Sequence, residues 1–351
     1  MKADSSNNRT LRRLDDFAEA GLLPPGADAA KLGEVARQFS LALSPELAKR
    51  IGGSPCSDPV ALQFVPDVRE LTVDFRELAD PIGDDFHSPL KGIVHRYPDR
   101  VLLKPTHSCA VYCRFCFRRE KVGPGEETLR DPELDAAIAY IEARPAIWEV
   151  ILTGGDPLVL PPPRLAAMIR RLAAISHVEV IRIHSRVPVV TPERITPELL
   201  QALRCNKAVW CVVHVNAVAE IGPAAVSSLA AMVDAGIPLL SQSVLLKGVN
   251  DSAAALEALF RRLCGLRIKP YYLHHPDLVR GTSHFRVSLE QGQEIMRQLR
   301  GDLSGIAQPT YILDIPGGAG KVPCGPAYLR PLADGSWEVE DPSGKTHHYP
   351  G

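Results

Sequence analysis

Between about residue 100 and residue 315 the chain alternates short apolar runs with amphipathic stretches, and this alternation restricts the fold more than any other feature. The runs at 101–104, 149–153, 178–183, 209–215, 238–245, 269–273 and 311–314 have the length and composition of strands. The stretches at 131–143, 163–174, 223–235, 253–266 and 289–299 are rich in Ala, Leu and Arg, with apolar residues at helical spacing and a polar opposite face. Strands that are apolar without interruption are covered on both faces, which implies a parallel sheet under helices. Six or seven such units imply an α/β fold of barrel type, closed or partly open, rather than a flat sheet.

Flanking segments lack the alternation. Residues 1–94 read as a largely helical accessory region, with helix over 28–52, a short strand or extended arm within 58–77, and a disordered first ten residues. Residues 95–325 form the barrel domain. Residues 326–351 are a tail whose turn formers, Asp334-Gly335 and Asp341-Pro342-Ser343-Gly344, predict a small hairpin.

Chemistry in such folds gathers at the C-terminal ends of the strands. The unusual residues of this sequence fall there: a cysteine cluster after the first strand, Gly154-Gly155-Asp156 after the second and His184-Ser185-Arg186 after the third. His214 and Asn216 follow the fourth strand, Gln242 lies near the end of the fifth, His274 to Asp277 follow the sixth, and Asp314 ends the seventh. Chance would scatter polar groups over both ends, so the pattern reads as one site.

With 40 basic and 41 acidic residues the net charge is −1, which gives no electrostatic case for nucleic acid as a partner. No apolar run approaches the roughly 20 residues of a membrane span, and the polar start of the chain lacks the apolar stretch of a signal peptide. A cytoplasmic protein is expected. Its eight cysteines fit a reducing compartment: Cys56, Cys205, Cys211, Cys264 and Cys324 are scattered, while Cys109, Cys113 and Cys116 are clustered.

Cys109-x3-Cys113-x2-Cys116 is the strongest local signal. A closed zinc or [4Fe–4S] site takes four ligands, and no fourth cysteine lies nearby. Three thiolates on a loop hold a cubic cluster with one open iron; the alternative is a zinc site completed by His107. A second signal is the glycine-rich loop Asp314-Ile315-Pro316-Gly317-Gly318-Ala319-Gly320-Lys321. A nucleotide phosphate loop needs a glycine where Ile315 stands and a hydroxyl where Val322 stands. The remaining reading is a lysine ready to form a Schiff base with pyridoxal phosphate (PLP).

The cysteine spacing, with an aromatic residue before the third Cys, resembles the signature of the radical S-adenosylmethionine (SAM) superfamily. Adding the Lys321 loop, the chain resembles the lysine 2,3-aminomutase family over about residues 96–325. The motifs are Arg96-Tyr97-Pro98-Asp99-Arg100, Cys113 to Arg119, Arg186-Val187-Pro188, Gln242 to Leu246, Tyr271-Tyr272, Asp277-Leu278, Gly281 and His284-Phe285-Arg286. The short form is similar to the β-lysine-forming enzyme of elongation factor P modification, from which it departs in its Asp-x-Pro-Gly-Gly sequence. His274-His275-Pro276 is a further departure from the family pattern.

The resemblance implies a partial (β/α)6-type radical SAM barrel and three cofactors: a [4Fe–4S] cluster on Cys109, Cys113 and Cys116, SAM, and PLP joined to the catalytic Lys321. It implies SAM contacts at Gly154, Gly155, Asp156, His214 and Gln242; here glycine permits close backbone approach, and Asp156 offers an acceptor to an ammonium. Arg118 would grip the substrate carboxylate, Asp277 and Asp314 the ε-ammonium of lysine, and Arg96, Tyr97 and Arg100 the PLP phosphate. The implied reaction moves the amino group of lysine from Cα to Cβ. The implied partners are an amino acid and an electron donor such as flavodoxin or ferredoxin; a homo-oligomer is compatible with the sequence but not specified by it. Three alternatives stay open: an aminomutase for glutamate or another amino acid, a PLP-independent radical SAM modification enzyme, and a metal-stapled protein without catalysis.

Overall fold

The computed structural model describes residues 9–123 and 128–351. Nine strands form one sheet in chain order: β1 (Ile93–Tyr97), β2 (Arg100–Thr106), β3 (Glu149–Gly154), β4 (Val180–Ser185), β5 (Ala208–His214), β6 (Leu239–Val244), β7 (Ile268–His274), β8 (Thr310–Ile315) and β9 (Gly320–Pro323). Strands β2 to β8 are parallel, and β1 and β9 add antiparallel edges at the two ends. All seven expected strands are present. So are the five expected helices, at Asp131–Glu142, Pro162–Ala174, Pro223–Asp234, Ala253–Gly265 and Leu289–Leu299.

Local chemistry sets the helix starts. Ser252 accepts from the Ala255 N–H and Ser288 from the Gln291 N–H, so each satisfies a donor that the first turn leaves free. Proline opens the helices at Pro162 and Pro223, where its missing N–H costs nothing.

The sheet's two faces differ. Ile181, Ile183, Val213 and Leu273 point outward and pack in the main core beneath the helices. Burying one such side chain contributes roughly 1.5–3 kcal/mol, so this outer face carries the stability. Alternate residues point inward: Arg182 and His184 on β4, His214 on β5, Gln242 on β6, Tyr272 and His274 on β7. A closed barrel of this kind fills its interior with branched apolar side chains. Here polar and aromatic residues leave an internal cavity of about 520 Å³.

The barrel is not closed by a ladder between β1 and β9. Side chains stitch the seam instead. Tyr97 on β1 accepts a 2.9 Å hydrogen bond from the Lys321 N–H on β9, and Arg96 donates at 2.8 Å to Asp314 on β8.

The amino-terminal region contributes helices at Leu14–Glu19, Ala29–Gln38, Pro45–Ala48 and Ala61–Phe64, with a 3-10 turn at Val68–Leu71. The strand or arm expected within 58–77 is therefore replaced by a short helix and a turn. Asp58 accepts from the Val60 and Ala61 N–H groups at 2.8 and 2.9 Å, which starts a helix rather than a strand. The disorder expected of the first ten residues falls, for 1–8, outside the described residues. Past residue 325, β10 (Leu329–Pro331), β11 (Trp337–Glu340) and β12 (Thr346–Tyr349) make a separate three-stranded antiparallel sheet. Among the described residues no helix is long and apolar enough to cross a membrane.

Candidate active site

The loop after β2 carries Cys109, Cys113 and Cys116, which line a second cavity of about 150 Å³ with Gly154, Gly155 and Asp156. The loop is braced from the amino-terminal region. Tyr112 donates its N–H to Ala42 at 3.0 Å and Arg114 to Gln63 at 2.8 Å. The Arg114 guanidinium forks onto Glu70 at 3.0 and 2.5 Å, Arg119 also pairs with Glu70, and the Arg119 Nη1 donates to the Gly281 carbonyl at 3.0 Å. Glu70 is 1% exposed. Burial pushes its carboxyl up, but Arg114 and Arg119 outweigh that and hold it below its ordinary value.

Burial also raises all three clustered thiols, Cys113 to about 11, while Arg186 pulls Cys113 back down. Among the described residues no three His, Cys, Asp or Glu side chains converge on a point where one metal ion would sit, as a zinc site requires. A cubic cluster takes one thiolate per iron and needs no such convergence. Three thiols on one cavity wall, ringed by the guanidinium groups of Arg118, Arg119 and Arg186, fit a cluster with one open iron.

The glycines at the end of β3 are required by this loop. Gly154 has φ +103°, and a Cβ there would stand 2.7 Å from the Thr106 carbonyl oxygen. A Cβ on Gly155 would stand 2.3 Å from that of Ser108. Close approach is needed between β3 and the backbone that leads into the cysteines. Asp156 differs from expectation. Its carboxylate accepts from Ser185 Oγ at 2.7 Å and from the N–H groups of Arg186, Val187 and Leu158 at 2.7, 3.1 and 3.1 Å. Both oxygens are occupied in clamping the ends of β3 and β4, so the side chain is not a free acceptor for an ammonium.

His214 and Gln242 face each other from adjacent strands and hydrogen-bond together. With His184 and His274 they line both cavities, which meet at Arg118, Thr153 and Asp277. Burial lowers all three histidines, His214 to about 3, so they are neutral at physiological pH. The Nε2 atoms of His184 and His274 are buried without a hydrogen-bond partner among the described residues.

Lys321 opens onto the larger cavity. Its Nζ pairs with Asp314, whose other oxygen receives Arg96. Arg96 also donates to the Ile82 carbonyl, so the guanidinium expected at a phosphate is tied into the Lys321 environment. Arg100 stacks over the Tyr97 ring with its carbon 3.9 Å from the centroid and pairs with Asp99 at 2.7 Å. Arg118 donates at 2.8 Å to Asp84. Asp277 lines both cavities, and among the described residues no cation lies within ion-pair distance of it; burial raises its carboxyl to about 6. Burial likewise lowers Lys321 to about 8, against the pull of Asp277. Sequence reasoning missed Asp84 and Ile82, which sit in a segment without periodicity. It noted His184 and His274 at strand ends without assigning them a role.

Two family models match the chain: the radical SAM superfamily over residues 103–259 and lysine-2,3-aminomutase over 296–336. L-lysine 2,3-aminomutase of Fusobacterium nucleatum is 43% identical over 271 residues, covering 77% of this chain and 64% of that one. The enzyme of the same name from Clostridium subterminale is 40% identical over 298 residues, covering 85% of this chain and 72% of its own. Glutamate 2,3-aminomutase of Clostridioides difficile is 38% identical over 296 residues, covering 84% and 70%. The matched region thus spans just under two thirds of the Fusobacterium enzyme.

Proposed function

The chain belongs to the lysine 2,3-aminomutase family of radical SAM enzymes, and from that premise we propose that it converts L-lysine to β-lysine by moving the α-amino group to Cβ. Cys109, Cys113 and Cys116 would hold the [4Fe–4S] cluster, with SAM beside the backbone of Gly154 to Asp156 and near His214 and Gln242. PLP would be joined to Lys321 with its phosphate toward Tyr97 and Arg100. When bound, the cluster and SAM would supply hydrogen-atom abstraction, and PLP a conjugated ring that shares the unpaired electron while nitrogen moves from Cα to Cβ. Residues 95–325 would carry this chemistry, 1–94 would brace the cluster loop, and 326–351 would form a peripheral tail. An external donor of flavodoxin or ferredoxin type in a reducing cytoplasm would deliver the electron.

The protein's own groups bind and orient. Arg118, steadied by Asp84, is a fork for the substrate carboxylate. Asp277 and Asp314 suit the ε-ammonium: Asp277 has no cation of its own among the described residues, and one oxygen of Asp314 is released once Lys321 is engaged by PLP. The neutral histidines surround the meeting point of the cavities without adding charge there. The observation that carries lysine over glutamate is Asp277, a buried carboxylate raised to about 6 that a cationic side chain would neutralise and an anionic one would oppose.

Replacing Asp277 with Asn is expected to raise KM for lysine by roughly 10- to 100-fold, the cost of a lost charge-assisted contact, with PLP attachment unchanged. Steady-state kinetics check this, and an unaltered KM would remove Asp277 from the lysine site. A pH dependence also follows. A lysine held at about 8 is half neutral at pH 8, where an ordinary one is roughly 0.3% neutral. The rate at which apoprotein captures PLP should therefore rise about fivefold from pH 7 to pH 8 and level off by about pH 9. A rate still climbing about tenfold from pH 8 to pH 9 would assign capture to another amine.

A further inference from the structure

Arg186 begins the turn after β4, and its contacts exceed what a turn requires. Its backbone N–H is fixed by Asp156. The guanidinium is buried between two aromatic rings, 5.0 Å from the Phe64 centroid and 5.5 Å from that of Phe115. Nη1 donates to the Cys113 sulfur at 3.3 Å, the one side-chain hydrogen bond to any of the three clustered sulfurs among the described residues. Nη2 donates to Gln63 Oε1 at 3.2 Å and lies 3.4 Å from Glu220 Oε2.

Glu220 is fully buried and firmly held. Its Oε1 accepts from the Asn216 and Ala217 N–H groups at 2.8 Å each and from Gln63 Nε2 at 3.1 Å. Among the described residues its Oε2 makes no hydrogen bond and acts on Arg186 through charge alone. Glu220, Gln63 and Arg186 thus form a rigid arm, drawn from three separate segments, that ends on one cluster ligand.

We propose that Arg186 is a positioning residue for electron uptake: held by Gln63 and Glu220, it donates a charge-assisted hydrogen bond to the Cys113 sulfur and makes the cluster easier to reduce. Reduction adds one electron, taken from the reductant, and breaks no bond. The added negative charge spreads onto the thiolate sulfurs, where a buried N–H donor stabilises it more than it does the oxidised state. The guanidinium stays protonated throughout. Glu220 opposes the effect, because its charge screens that of Arg186. Hydrogen bonds to cluster sulfurs are among the factors that set such potentials. A merely structural pin would hold β4 to the cysteine loop without changing the potential.

The test uses full-length protein, reconstituted anaerobically and titrated with dithionite and mediators, without SAM, PLP or substrate, while the reduced cluster is followed by electron paramagnetic resonance. At the wild-type midpoint, Arg186→Gln should lower the ratio of reduced to oxidised cluster about tenfold, equivalent to ~59 mV for one electron. Glu220→Gln, which keeps the Oε1 acceptor and removes the opposing charge, should raise the ratio above wild type. Arg186→Lys should fall between wild type and Arg186→Gln. A ratio in Arg186→Gln within about twofold of wild type, at equal iron content, overturns the proposal. If Arg186→Gln does not retain iron, Glu220→Gln decides: an unchanged or lower ratio overturns it. The proposal rests on the cluster assignment and not on lysine as substrate. A wild-type chain that assembled no cluster would remove both, whereas equal ratios would remove this proposal alone.

Discussion

Lys321→Ala is expected to abolish aminomutase turnover, by on the order of 10³-fold or more, the scale on which loss of a covalent catalytic residue acts. Borohydride reduction of the wild-type protein with PLP should fix the cofactor to the peptide containing Lys321, and the variant should retain none. The cluster should survive, because Lys321 lies on the wall of the larger cavity and the cysteines on the wall of the smaller. The fold should survive as well. Asp314 keeps its 2.8 Å contact with Arg96 when Lys321 is removed, so the buried carboxylate is not orphaned. Full turnover in Lys321→Ala, or PLP trapped on another lysine, would contradict the assignment.

Cys113→Ala should have an effect of comparable size by another route. It would remove one of the three proposed iron ligands and leave Arg186 without its sulfur acceptor. Reconstituted iron should fall below roughly a tenth of wild type, and reductive SAM cleavage should disappear with it. Cys211→Ala is the matched control. Cys211 is buried in β5 within the apolar core, outside both cavity walls, so iron content should be unaffected. Equal iron in Cys113→Ala and wild type would contradict the cluster assignment.

The two sites were not equally legible in the sequence. The seven parallel strands could be read because covered strands are apolar throughout, and the cysteine triplet because its spacing is local. Strands β1 and β9 left weak traces. Ile93–Tyr97 is interrupted by His95 and Arg96, Gly320–Pro323 looks like loop, and what fixes each is antiparallel pairing, β1 with β2 and β9 with β8. Asp156 shows the opposite failure: its place at a strand end suggested ligand contact, but four donors from two strand ends occupy it. Asp84 was invisible because its hydrogen-bonded partner, Arg118, lies 34 residues away in sequence. Charge pairing across the fold, unlike period or spacing, leaves no local signature.

Lysine as the substrate is the central claim, and one measurement addresses it most directly. Anaerobically reconstituted protein is incubated with SAM, PLP, dithionite and either L-lysine or L-glutamate, and the products are identified by mass and chirality. The account predicts β-lysine from lysine, no β-glutamate, and SAM recovered after many turnovers. β-Glutamate as the main product, or lysine returned unchanged while SAM is consumed, would contradict it.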